Sequence, residues 1–393
     1  MTTATTKLAI DRLRTLVSFD STSRNSNLDL VNWAVPLLEQ AGARIRLSYD
    51  EKRSKANILA SFGPNVRGGI LLSAHTDVVP VDGQLWSSQP FVLTERDGRL
   101  HGRGTADMKG FIACCLASVP HWKKADLHRP VHLALSYDEE VGCFGVPGLI
   151  EDLIAHVATP AVAIVGEPTN MMIADHHRGY LAFRTTFRGK AAHSSDPSKG
   201  VSAVSAAAHF VRLLEELDAQ NAGLTASTTF NVGLISGGST INIVPSHCEV
   251  LWEIRPSADA DLSLLKKTAA RLVSEAAPPE FAPETQDIVT IPALRPEPRN
   301  QASVVAQQFG ATLSNAGLPF GTEGGFFQAA GIPTIICGPG SIAQAHQADE
   351  WISIDQLDQG CRFMDQVTSW AVASDHQDLN EDCMSSARIG GEI

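Results

Sequence analysis

At 393 residues the chain exceeds one ordinary single-core domain, and the usual scaling of about 100–200 residues per domain sets an expectation of two or three. Hydrophobic residues make up 44% and charged ones 19%, which excludes disordered, collagen-like and mucin-like chains. Thirty-one basic against 43 acidic residues leave a net charge of -12, and no block of Lys or Arg could track a phosphate backbone, so nucleic acid is not an expected partner. The acidity suits cations, either metals or amine-bearing substrates, and it also serves simple solubility.

In chain order, Met1–Phe19 reads as an amphipathic helix through Ile10, Leu13 and Leu16, with Asp11, Arg12 and Arg14 breaking any secretory apolar core. No stretch reaches the roughly 18 consecutive apolar residues of a membrane span. Seven cysteines without a Cys-x-x-Cys pair point to a reducing cytoplasm, and Cys114 and Cys115 resemble small core residues. Up to about residue 170 buried strands alternate with helices, predicting a largely parallel α/β sheet. The strands are Asn57–Phe62, Gly69–Thr76, Val131–Tyr137 and Ala161–Val165; the helices are Leu28–Ala41, Met108–Val119 and Val146–Val157. Pro36 is expected to kink the first of these helices or delay its start.

The texture then changes. Leu181, Phe183 and Phe187 alternate with Arg184, Thr186 and Arg188 as in a strand with one wet face. A helix (Val201–Leu217), strands Thr228–Leu234 and Ile241–Ile254, and a helix from Leu262 to Ala276 complete a β-α-β-β-α order. This predicts an α+β insert, residues 178–285, within a discontinuous first domain of residues 1–177 and 286–393. After the Pro-rich stretch Pro278–Pro298, α/β texture returns with Pro333–Cys337 and a final helix near Ile354–Ala373. The tail from Ser374 is expected to fray.

Five motifs carry chemistry. Ser73-Ala-His75-Thr-Asp77 closes an apolar strand, and residues two apart on a strand share a face, so His75 could bind a metal while Asp77 holds its other ring nitrogen. Taken alone, such a histidine is more often simply hydrogen-bonded. Gly102-Arg-Gly-Thr-Ala-Asp107-Met-Lys-Gly110 surrounds one carboxylate with glycines; it lacks Walker spacing, and Asp107 either reaches a cation or caps a helix. Asp138-Glu139-Glu140-Val-Gly142 ends a strand, where open α/β sheets place their sites. Adjacent carboxylates repel unless exposed or relieved by a cation, and one can ligate a metal while its neighbour accepts a proton. Gly166-Glu167-Pro168-Thr169 repeats the theme, and the loop Gly338–Glu350 delivers His346. Two His and several carboxylates without cysteine suit zinc, cobalt or manganese.

Together with the β-α-β-β-α insert, the ordered motifs Ser73–Pro80, Gly102–Gly110, Ser136–Gly142, Gly166–Thr169 and Gly338–Glu350 closely resemble the M20 family of co-catalytic zinc hydrolases. The resemblance covers nearly the whole chain up to about residue 373. The wording around Ser136–Cys143 and Gly338–Glu350 is most similar to its acetylornithine deacetylase branch. The resemblance implies two divalent ions per chain: Asp107 bridges them, His75 and Glu167 complete one site, and Glu140 and His346 complete the other. Glu139 would be the general base and Asp77 the orienter of His75. His193 on the insert would stabilise the oxyanion in a partner subunit of a homodimer, with Asn242 and Arg255 binding an N-acyl amino acid substrate. Glu323, in Gly321-Thr-Glu-Gly-Gly325, departs from the generic family and is expected near the substrate pocket, favouring a cationic side chain such as that of ornithine. The implied reaction is deacetylation of N2-acetyl-L-ornithine in arginine biosynthesis. Succinyl-diaminopimelate desuccinylase, aminoacylase, carboxypeptidase or dipeptidase activity and a metal-free binding protein of the same fold are the competing readings.

Overall fold

A computed structural model of the chain describes residues 3–220, 228–314 and 317–373. The tail expected to fray lies outside the described residues. A six-stranded sheet runs in the order Arg44–Tyr49, Ala56–Phe62, Val131–Ser136, Ile70–His75, Val162–Val165, Thr334–Ile336. Its first two pairings are antiparallel and the other three parallel, so the sheet is mixed. The parallel strands are buried on both faces, which is why they read as unbroken apolar runs. Alternation decides where each side chain goes. Leu72, Leu133 and Ile164 pack with the helices Ala4–Ser18, Lys109–Lys124 and Ile354–Val372, while Leu71, Ala134 and Ala163 pack with Leu149, Leu153 and Phe327 on the other face.

Three local features differ from expectation. The start of the helix Leu28–Gln40 is not delayed by Pro36, which lies inside it. Leu30, Val31, Ala34 and Leu38 bury one face on both sides of the proline, and exposed Asn32, whose carbonyl loses its partner, faces water. The helix Lys109–Lys124 likewise passes through Pro120, its last turn anchored by buried Trp122, whose indole N–H donates to Thr368 Oγ1 at 3.0 Å. Arg44–Tyr49 is an edge strand that alternation of charge had concealed, and its arginines discourage further pairing at that edge.

The second sheet is antiparallel in the order Thr229–Gly237, His247–Arg255, Tyr180–Arg188, Glu284–Ile291. The helices Ala203–Gln220 and Leu262–Glu275 cover one face, over a core of Phe183, Phe187, Phe210 and Trp252 in which Phe183 stacks on Trp252 at 4.4 Å. Two strands depart from expectation here. Pro245 separates a short strand, Ile243–Val244, from His247–Arg255, and Glu284–Ile291 adds a fourth strand from within the stretch taken as merely Pro-rich, reaching past residue 285. Its leading residues Glu284, Thr285, Gln286 and Asp287 are all exposed, so no apolar alternation announces it. No helix among the described residues is long and apolar enough to cross a membrane.

Candidate metal centre

Because the four parallel strands run the same way, their carboxyl ends deliver loops to one edge of the sheet. His75 ends its strand and is 1% exposed. Its Nδ1 lies 2.9 Å from the backbone carbonyl of Asp77, an acceptor only, so in the neutral ring Nδ1 carries the proton and the Nε2 lone pair points elsewhere. It points at Asp107 Oδ1, 3.0 Å away, and Glu167 Oε1, 3.8 Å away. A lone pair facing two carboxylates is repulsive unless a proton or a metal lies between them.

The Asp77 carboxylate itself is 3.7 Å from the His75 ring, so its carbonyl, and not its side chain as expected, holds the imidazole. The carboxylate instead accepts the Ser23 hydroxyl at 2.7 Å and the backbone N–H groups of Glu139 and Glu140 at 3.1 and 3.3 Å. Asp77 thereby fixes the turn that presents the two glutamates.

Asp107 faces two imidazoles, Oδ1 toward His75 and Oδ2 3.3 Å from His346 Nε2. Its loop is shaped by Gly104, whose φ of +83° suits only glycine and where a Cβ would meet Val78 at 2.8 Å. The loop is held by Glu350, the last residue of the His346 motif. Glu350 Oε1 accepts the N–H groups of Ala106 and Asp107 at 2.9 and 3.1 Å; Oε2 accepts that of Gly104 at 2.9 Å and the Arg103 guanidinium at 2.8 Å. Next to it Trp351–Ser353 pairs with Arg99–His101, so the two loops are joined as a ladder and an ion pair. Arg103 also donates to Gln84, whose amide donates to the His346 carbonyl. The sequence gives no sign of these ties, because most of the groups Glu350 holds are backbone N–H groups.

Glu140 Oε2 is 3.0 Å from His346 Nε2, while its Oε1 is buried without any partner. The Glu139 carboxylate, beside it, receives a 3.6 Å contact from the Cys143 thiol. Burial first, then neighbouring carboxylates, pushes Glu139 and Glu167 well above the ordinary carboxylate range and raises Glu140 as well. Asp107 is held low against its burial by the two histidines, and the carboxylates lift His346 to about 10. The cluster as a whole seeks positive charge. The triads His75, Glu139, Glu167 and His75, Asp107, Glu140 each bring donor atoms within 4.8 Å of one another. With the orphaned Glu140 oxygen and the imidazole lone pair aimed at carboxylates, these N and O donors fit divalent ions.

Above the cluster lies a cavity of about 340 Å³ lined by Glu139, Glu140, Glu167, His346, Tyr180 and Arg255 among others. The Arg255 guanidinium stacks over the Tyr180 ring at 3.7 Å and pairs with Glu253 at 3.1 and 3.3 Å. Two expected residues, Asn242 and Glu323, are not there, and neither is His193, which the resemblance places in a partner's site. His193 is exposed on the short strand pair joining Ala192–His193 to Ile243–Val244, where its Nδ1 meets the Ser195 hydroxyl at 2.7 Å, and exposed Asn242 lies in the turn just before that second strand. Glu323 does not face a substrate side chain: it is buried below the strand ends, accepting hydrogen bonds from Ser73 and Ser136. The glycines that follow it open a short helix, Gly324–Ala329, whose Gly324, Gly325 and Phe327 are buried. Tyr180, which the sequence reading passed over, has no signal beyond adjacency to an alternating strand.

Residues 71–369 match the peptidase family M20/M25/M40. The chain is 33% identical over 358 residues to an acetylornithine deacetylase of Pasteurella multocida (strain Pm70), covering 88% of this chain and 91% of that one. It is 34% identical over 339 residues to an acetylornithine deacetylase of Shigella sonnei (strain Ss046), covering 83% and 86%. Its fold is similar to that of the YXEP protein of Bacillus subtilis, a dinuclear metal-binding peptidase of the M20 family, with a TM-score of 0.69 at 15% identity over 94% of this chain and 99% of that one. Motif order, strand-end chemistry and these similarities converge: the chain belongs to the M20/M25/M40 family of peptidases.

Proposed function

We propose that the protein is a metal-dependent amidohydrolase that removes the acetyl group from N2-acetyl-L-ornithine, yielding ornithine and acetate for arginine synthesis in the cytoplasm. The observation that carries the chemistry is Asp107, set between His75 and His346 with one carboxylate oxygen toward each. The two deacetylase relatives, matched over most of their length, support the substrate. Asp107 would bridge two divalent ions, zinc before cobalt or manganese, with His75 and Glu167 on one and Glu140 and His346 on the other. Bound there, such ions acidify water and polarise an amide carbonyl.

The chain's own residues supply the rest. Glu139, which has no histidine within salt-bridge distance among the described residues and accepts a 3.6 Å contact from the Cys143 thiol, takes the proton of the attacking water and returns it to the leaving nitrogen. Arg255, whose Nε and Nη2 are held by Glu253 and whose guanidinium stacks on Tyr180, offers its remaining Nη1 edge to the α-carboxylate. His193 and Asn242 lie outside the cavity of their own chain, which suits a homodimer formed through the insert of residues 178–285, with His193 donating to the oxyanion in the partner's site.

A steady-state panel of N-acetylornithine, N-succinyl-diaminopimelate, N-acetylmethionine and a dipeptide tests this reading. N-Acetylornithine should give the highest kcat/KM on zinc- or cobalt-loaded protein, and chelation should abolish turnover. Full activity after chelation would exclude a metal hydrolase; a preference for another substrate would move the protein to another M20 activity.

A further inference from the structure

Glu323 takes no part in the reaction just described, yet it is one of the most buried acids of the molecule, 1% exposed. Its Oε2 accepts the Ser73 hydroxyl at 2.7 Å, and its Oε1 accepts that of Ser136. Ser73 precedes His75 by two residues on the same face of its strand, and Ser136 is the residue directly opposite His75 in the parallel ladder. The carboxylate is therefore tied to both strands at the level from which His75 emerges. The ring of His75 is the nearest group that can carry positive charge among the influences on it, and no lysine or arginine among the described residues pairs with it.

Two hydroxyl donors satisfy its hydrogen-bonding capacity but leave its charge unbalanced, and a neutral amide of the same shape would bond the serines as well. Burying a charge without a partner is costly. The surroundings worsen the cost: Asp77, Asp107, Glu139, Glu140 and Glu167 crowd the same edge, and Glu323 itself adds to the repulsion felt by Glu167. What balances such an excess is positive charge at the centre above. We propose that Glu323 is a positioning and charge-balancing residue of the metal centre, whose buried carboxylate, fixed by Ser73 and Ser136 behind His75, tightens the hold on the ions without touching them. This rests on the dinuclear reading of the site.

The test measures two properties of the full chain: zinc affinity, by competition with a chromophoric chelator, and thermal stability of the chelated protein. Native protein comes first; if it binds no zinc, the metal reading itself fails. If it binds, Glu323→Gln keeps the shape and removes the charge. Zinc should bind about ten- to a hundredfold more weakly, the scale of one unit charge acting at this range, while the melting temperature of the chelated protein stays level or rises because a repulsive charge is gone. Ser136→Ala should do the reverse, lowering the chelated melting temperature while zinc affinity stays within about threefold. Native zinc affinity in Glu323→Gln, or weakened affinity that comes only with a lower chelated melting temperature, would overturn the proposal and leave Glu323 a structural residue. Weakened affinity in Ser136→Ala as large as in Glu323→Gln would also overturn it, since the hydrogen bond rather than the charge would then matter.

Discussion

Glu139 and Glu140 are neighbours in sequence whose partners give them different tasks. Glu140 meets His346 and keeps one buried oxygen free, as a ligand would, whereas the Glu139 carboxylate, met among the described residues by the Cys143 thiol at 3.6 Å, suits the proposed proton carrier. Glu139→Gln should therefore keep its metal, measured by elemental analysis, while turnover falls by about 10²–10⁴; Glu140→Ala should lose metal and activity together. A different buried residue sets acid stability. His132, deep in the sheet, is pushed down to about 4 by burial, with Arg44 adding repulsion. The unfolded chain takes up this proton near the ordinary histidine value while the folded chain refuses it until about pH 4. The stability that its neutral form contributes is thus present above about pH 6.5 and lost as pH falls toward 4, by up to about 3 kcal/mol. His132→Gln should flatten that part of a pH series of urea unfolding curves.

At the scale of elements, the buried pair Arg103–Glu350 joins the loop of Asp107 to that of His346. Glu350→Gln leaves the guanidinium buried and unpaired and should cost about 3–5 kcal/mol of unfolding free energy; Arg103→Met should cost a similar amount, and the double variant less than their sum. This tie also marks where sequence reading ends. The sequence marks His75, Glu139, Glu140 and Glu167 as polar ends of apolar strands and Asp107 as an acid among glycines, each ambiguous alone; the roles proposed for them come from the family resemblance. The duties of Glu350 and Glu323 were not legible, since their partners stand 247 and 250 residues away in the chain. The strand Glu284–Ile291 escaped notice because its exposed half lacks alternation, and the helix Leu28–Gln40 crosses Pro36 because packing on its buried face outweighs one lost hydrogen bond.

For the whole molecule, the exposure of His193 away from its own cavity leads to a test of assembly. Mixing inactive Glu139→Gln and His193→Ala proteins under subunit exchange should restore up to about a quarter of native activity. About half the dimers are then mixed, and one of their two sites has both an intact Glu139 and an intact His193 from the partner. Proven exchange without recovery would show that His193 does not act across an interface.

The ladder between Trp351–Ser353 and Arg99–His101 also gives the site a place in time. A chain made from its amino terminus exposes Asp107, Glu139, Glu140 and Glu167 long before residues 346–353 leave the ribosome. The second sheet, whose pairings all lie between residues 180 and 291, can close in the interval. Until residues 346–353 arrive, the Asp107 loop lacks Glu350 and the second imidazole, although His75 and the acids up to Glu167 are already made. The proposed site of Glu140 and His346 can therefore form only after residues 346–353 have emerged, later than the proposed site of His75, Asp107 and Glu167.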